Sequence, residues 1–222
     1  RLFVIGVRDE LALTGPTLTA LNATALWHPR ALLNAYEKLS LTLRERWLWW
    51  NPAEPPPRVG SFADLIEDDP VGVRWHTDGE TTKLLNMMSD INREKVEEAK
   101  SLGRRMVGAV YKRTRRDEVG RKVQRAEIRF DGLAGCLRTP AGGSSRQVVL
   151  IVEGESVRSR LIAPRETARL MGLPDDYELP TNYNEAYHLT GDGVVVPVVR
   201  HLARHIFEPL LTTQIARSRV AA

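Results

Sequence analysis

A chain of 222 residues and 25.0 kDa, 42% hydrophobic and 27% charged, can bury a core, which excludes a disordered tail or a collagen-like rod. No apolar run nears the roughly 18 residues of a membrane span, and no signal peptide is visible. The lone Cys136 excludes a disulfide framework or a multi-thiolate metal site and fits a reducing cytoplasm.

The net charge of +4 is unevenly placed. Residues 93–129 hold thirteen Lys/Arg against six Asp/Glu, or +7, so the remainder, nineteen basic and twenty-two acidic, sums to −3. Such a patch is either the footprint of a polyanion binder or a solvated helix face followed by a basic loop.

In chain order, Leu2–Val7 reads as a strand buried on both faces, with nothing nearby to supply its sheet. An opening on Arg1 points to a chain that begins inside a longer protein. His28-Pro29-Arg30 starts a helix to about Leu39. Trp47, Trp49 and Trp50 then run into Pro52 and Pro55–Pro57, a stiff boundary. Ser61 to Asp64 resembles a capping box opening a short helix to Glu67. A longer helix spans Thr81 to Leu102, closed by Gly103. Short β runs follow at Met106–Tyr111, Ala126–Phe130, Leu133–Leu137 and Gln147–Val152, a small irregular β region. Pro164 to Gly172 has Pro at the first helical position and Gly just past the end. Gly191-Asp192-Gly193 precedes Val194–Val199 and an amphipathic helix to about Phe207. Gly-x-Gly before a helix frees N–H groups that can hold an anion, though most such pairs are only tight turns. Met87-Met88 and the Trp cluster read as packing, and no metal ligand set is expected.

Three of these segments, in this order, resemble the C-terminal half of the DNA cytosine-5 methyltransferase family. Arg1-Leu2-Phe3-Val4-Ile5-Gly6-Val7-Arg8 resembles the end of the family's eighth motif, with Arg1 the last arginine of its Gln-x-Arg-x-Arg signature. Residues 160–177, through Pro164-Arg165-Glu166 and Arg169-Leu170-Met171-Gly172-Leu173-Pro174, resemble the ninth. Thr190-Gly191-Asp192-Gly193-Val194 through Val199 resembles the tenth. The resemblance implies an α/β fold, the C-terminal portion of a two-lobed methyltransferase. Its small mixed α+β target-recognition lobe would be flanked by elements returning to a Rossmann-like large lobe. The implied divisions are residues 1–50 (end of the catalytic lobe and linker helices), 51–180 (target recognition with the ninth motif) and 181–222 (tenth motif and C-terminal helix).

The family's Pro-Cys nucleophile, Glu-Asn-Val carboxylate and glycine-rich cofactor loop do not occur in the sequence. The chemistry needs them. A thiolate must add to C6 of a flipped cytosine to activate C5, and a carboxylic acid must meet the ring nitrogen as charge develops. Cys136, after Gly135 inside an apparent strand, reads as a small buried hydrophobe, so this chain alone is expected to be inactive. By resemblance Arg1 contacts the cytosine. Asp192, Gly193 and Val194 face the cofactor S-adenosylmethionine, with Asp192 and Gly193 where the family has Asn and Ser. The serine hydroxyl is lost there, and a contact through the N–H groups of Gly193 and Val194 is expected.

Lys112, Arg113 and Arg115 are candidate phosphate contacts. Arg138 and Arg146 could read guanine edges, flanking the donor-rich loop Gly142, Gly143, Ser144, Ser145. That loop is otherwise a plain hairpin turn. Glu166 and Arg169 are expected as buried polar links. Expected partners are double-stranded DNA, an N-terminal catalytic half or subunit, and another copy through exposed apolar surface, in a cytoplasmic, nucleoid-associated setting of restriction-modification type. A stand-alone DNA-binding module, or a degenerate relative that binds protein, stays open as the alternative.

Overall fold

A computed structural model describes residues 2–8, 18–137 and 146–212. The chain divides into two units: the described parts of 1–57 with 198 onward, and 58–197. In the first, β1 (Thr19–Ala20) pairs antiparallel with β2 (Trp49–Trp50) across α1 (Arg30–Tyr36) and α2 (Leu41–Glu45). The Trp cluster is this unit's core, as expected. Trp49 is buried, its ring 4.9 Å from His28 and 4.8 Å from Tyr36, and Trp27 Nε1 donates to Pro52 O at 2.8 Å. Leu2–Val7 is not a strand: Leu2 is 72% and Val4 83% exposed, and Trp50 Nε1 donates to Ile5 O. A doubly buried strand needs a ladder on each side, and no described strand of this chain offers one.

In the second unit Ser61 N–H donates to Asp64 at 2.7 Å and starts a 3-10 turn, Phe62–Leu65. The expected helix over 81–102 is two: α3 (Asp78–Asn86), opened by a Thr77–Glu80 capping box, and α4 (Asp90–Ser101). They break at Met87–Ser89 because Met88 turns into the core at 1% exposure and Ala126 N–H donates to Met87 O. Gly103, at φ +62°, is the left-handed cap.

The β region is one antiparallel sheet, ordered β4 (Lys122–Arg129), β3 (Met106–Arg116), β5 (Val148–Glu153), β6 (Ser156–Leu161). Strand alternation splits its apolar residues between two layers. Val110, Ala126, Ile128, Val148 and Leu150 meet Leu84, Met88 and Val96 of the helices. Val107, Ala109, Val149 and Ile151 meet Phe62, Ile66, Ile162 and Tyr187. Leu133–Leu137, expected as a strand, is an unpaired extended segment, and Cys136 on it is exposed rather than buried. With no strand beside it, the segment packs Ala134 and Leu137 on the sheet and leaves Leu133 and Cys136 exposed.

After the sheet come α5 (Pro164–Leu170) and α6 (Tyr183–Asp192), with Asn182 Oδ1 accepting from Asn184 and Glu185 N–H. α7 (Val196–Leu202) runs on into a π turn, Ala203–Phe207. The Gly-Asp-Gly segment therefore closes one helix instead of leading directly into the next. Among the described residues no helix is long and apolar enough to cross a membrane.

His76 ties α3 to β6: its Nδ1 lies 2.9 Å from Ser159 Oγ, which lies 2.9 Å from Thr81 Oγ1. Burial holds the imidazole below its ordinary pKa; Glu80 opposes that, while Arg74 and Lys112 add to it. A lowered folded-state pKa means the unfolded chain takes the proton more readily, so stability rises with pH. Urea midpoints are expected to fall as pH drops through the imidazole range near about 6.5, and less steeply in His76→Gln. An unchanged slope in that variant would remove His76 from the titration.

Candidate nucleic-acid interface

The basic stretch folds as the outer half of the β3–β4 hairpin, closed at Asp117–Gly120, where Gly120 has φ +80°. The register sets Arg113 opposite Arg125, Thr114 opposite Gln124 and Arg115 opposite Val123. Paired residues share a face and neighbours in sequence do not. Tyr111, Arg113, Arg115, Arg125 and Glu127 thus occupy one face. Lys112, opposite Ala126, is on the other, where α3 and α4 pack. Of the three cations read together in the sequence, the structure keeps Arg113 and Arg115 together and separates Lys112.

Glu127 organises the first face. Arg115 Nη2 lies 2.5 Å and Arg113 Nε 3.8 Å from its carboxylate, and it also engages the Tyr111 hydroxyl. Burial pushes its pKa up, but Arg115, Tyr111 and Arg113 outweigh that and hold it below the ordinary range. The Arg113 guanidinium stacks 4.6 Å from the Tyr111 ring centroid. Burial, then Glu127, raises the Tyr111 pKa, so the hydroxyl stays a donor.

The 133–137 segment crosses this same face. A Cβ on Gly135 would lie 3.5 Å from Tyr111 Cδ1 and 3.2 Å from Gln147 Nε2. Arg146 stacks 5.4 Å over Tyr183 and bonds Asn184 Oδ1. Tyr183 donates to Ile162 O, and burial, reinforced by Tyr187, pushes its pKa far up. Gln147 was not singled out in the sequence. It is 2% exposed, and neither its Oε1 nor its Nε2 has a partner among the described residues. Arg125 was also missed; the signal available was its place opposite Arg113 in two runs of alternating charge. Arg1, Arg138, Gly142, Gly143, Ser144 and Ser145 lie outside the described residues.

At the other candidate segment Asp192 is the last residue of α6 and Gly193 its cap. Gly193 N–H is spent on Leu189 O at 3.1 Å, and Val196 N–H on Met171 O at 2.9 Å. Of the two N–H groups expected as donors, that of Gly193 is thus already bonded within the end of α6. A Cβ at Gly193 would sit 3.0 Å from Leu189 O, so a side chain enters there only if the helix end shifts. Among the described residues no group of three or more His, Cys, Asp or Glu could hold a metal.

Glu166 is a buried polar link, as expected; Arg169 is a polar link too, but a partly exposed one rather than buried. Arg160 and Glu166, both fully buried, form a two-armed ion pair at 2.8 and 2.6 Å. Glu166 also accepts from Ala163 and Glu67 N–H. Arg169 joins Glu67 at 2.7 Å to Asp175 at 2.6 Å.

The family profile described as C-5 cytosine-specific DNA methylase matches residues 1–208. The chain is 30% identical over 170 residues to the type II methyltransferase M.HpaII of Haemophilus parainfluenzae, covering 71% of this chain and 41% of that protein. It is 36% identical over 61 residues to M.SsoII of Shigella sonnei, covering 28% and 16%. It is 47% identical over 49 residues to M.BanI of Aneurinibacillus aneurinilyticus, covering 22% and 11%. In each case the chain spans less than half the relative's length. With a family match along nearly all of its length, this chain belongs to the C-5 cytosine-specific DNA methyltransferase family.

Proposed function

We propose that this chain is the target-recognition and C-terminal part of a DNA cytosine-5 methyltransferase, acting on double-stranded DNA together with an N-terminal catalytic half. The observation that carries the reading is the β3–β4 hairpin. It is a strand pair whose outer half holds exposed arginines in place of core residues, in a chain whose other segments match the family. Phosphate contacts from such a hairpin supply affinity and orientation on the duplex. Residues 1–50 and 181–222 would be the portions that meet the catalytic lobe, and 51–180 the recognition lobe. The exposed Leu2, Val4, Val198 and Val199 are apolar surface suited to that association or to a second copy. Arg1 would reach the flipped cytosine, and Arg138, Arg146 and the loop 142–145 would face the bases.

S-adenosylmethionine, the family's methyl donor, supplies the methyl group for C5 when bound. The residues at the end of α6 fit its amino-acid end. The Asp192 carboxylate stands at the negative end of a helix and suits the ammonium, while Val194 N–H suits the carboxylate. These residues hold and orient that end. The nucleophile and the general acid must come from elsewhere, because the sequence contains no Pro-Cys and no Glu-Asn-Val.

The test mixes this chain with the family's N-terminal half, labelled S-adenosylmethionine and duplex DNA. Methyl transfer is expected only when both parts are present, and calorimetry on this chain alone should show weak cofactor binding or none. Transfer by this chain alone, or tight binding by it, would refute the division of labour. DNA binding without any transfer in the mixture would favour a stand-alone binding module.

A further inference from the structure

Strand register does more than separate Lys112 from its neighbours. We propose that the phosphate backbone of duplex DNA lies against one face of the β3–β4 hairpin, the face of Arg113, Arg115 and Arg125, and that Arg125 is itself a phosphate contact. The inference deepens the recognition role proposed above and rests on it.

Charge is the first ground. Arg113 and Arg125 are directly opposite each other, a placement that disfavours the sheet when both side chains are cationic. Arg115 is two residues along the same face. Three guanidinium groups share one carboxylate, Glu127, which leaves +2. Glu127 is taken by Arg115 and Arg113. The Arg125 side chain is exposed and makes no hydrogen bond or ion pair among the described residues. A sheet that sets like charges in register, with one of them unmatched, is completed by an anion from outside.

The second ground is independent of charge. Tyr111, which stacks on Arg113, borders Gly135, and so does the Gln147 amide. Gln147 and Arg146 bring to this side of the sheet three buried polar atoms without partners among the described residues: both ends of the Gln147 amide and Arg146 Nε. Buried polar groups are ordinarily satisfied, so such a cluster marks where the free protein is incomplete. The arginine row and this polar deficit adjoin through Tyr111 and Gly135.

The opposite face also sets two cations in register, Arg116 and Lys122, but among the described residues it brings no such cluster of buried polar atoms. There Lys112 abuts the helical layer, and α3 and α4 carry six carboxylates (Asp78, Glu80, Asp90, Glu94, Glu97, Glu98) against four cations (Lys83, Arg93, Lys95, Lys100), or −2. A duplex approaching from that side meets repulsion behind its first contacts.

The experiment titrates the full chain into fluorescein-labelled duplex DNA at several salt concentrations and reads anisotropy. Arg113→Ala and Arg125→Ala are each expected to reduce the slope of log affinity against log salt by about 0.9, the loss of one phosphate contact. Arg125→Lys should restore it. Lys112→Ala and Lys122→Ala, on the other face, should keep the parent slope. Equal losses from Lys112→Ala and Lys122→Ala, or no change in Arg125→Ala, overturn the face assignment while leaving DNA binding intact. Absence of salt-dependent binding by the unaltered chain overturns both this inference and the recognition role.

Discussion

Replacing Glu166 with alanine is expected to destabilise the second unit by about 3–5 kcal/mol, the range for removing one partner of a buried ion pair. Arg160 would be left fully buried with no counter-charge. Two further donors would lose their acceptor, Ala163 N–H at the start of α5 and Glu67 N–H beyond the 3-10 turn. Glu166 thus joins three pieces of chain through one carboxylate: β6, α5 and the segment after Leu65. Urea denaturation read by circular dichroism measures the loss. Arg160→Met with Glu166→Leu removes both charges together and is expected to recover most of it, because no charge stays stranded in the interior. If Glu166→Ala costs no more than an exposed-site change, the pair is not a structural keystone.

Gly172→Ala is expected to cost about 2–5 kcal/mol, from two sources. The backbone there is left-handed at φ +76°, which carries about 1–2 kcal/mol for a residue with a Cβ. The new Cβ would also stand 2.4 Å from Pro197 Cδ and 2.7 Å from Cγ, and relieving such overpacking costs about 1–3 kcal/mol. A proline ring at the first turn of a helix cannot swing aside as a flexible side chain would. Gly154→Ala supplies the control: its φ is +57° and a Cβ there meets nothing within 4 Å, so the conformational share alone is expected. Similar thermal midpoints for the two variants would show that Pro197 yields. The contact also fixes the segment after α5 against the segment before α7. Met171 O accepts Val196 N–H beside it, so the two chain ends are held at neighbouring points.

Where a single local force dominates, the sequence alone is enough. Pro164 and Gly172 bracket α5 because each suits one end of a helix for its own backbone reason, and the capping at Ser61 is equally local. The break at Met87–Ser89 is invisible to periodicity, because it arises from Met88 packing under Ala126, a residue of another strand. α6 was available and overlooked: Asn182 followed three residues later by Glu185 is a helix-start pattern. Leu2–Val7 shows the reverse case. Its apolar run favours a strand, yet a strand exists only where a second one hydrogen-bonds to it. For the candidate interface, composition located the cations but not their sides. Arg113 and Lys112 are adjacent in sequence and differ by which way a pleat turns, and that is set by the pairing with β4.

The outer side of β4 is hydrogen-bonded at Ala126, to Met87 O, and at Ile128, to Asn92 Oδ1. Nearer the tip, Lys122 to Arg125 is a margin of the sheet with no strand beside it among the described residues. Such margins invite another copy to add on as a further strand, and lysine or arginine along them discourages it. The cations that greet a polyanion therefore also keep free molecules from stacking into ribbons, so that nucleic acid, rather than a sister chain, is the welcome neighbour at this border.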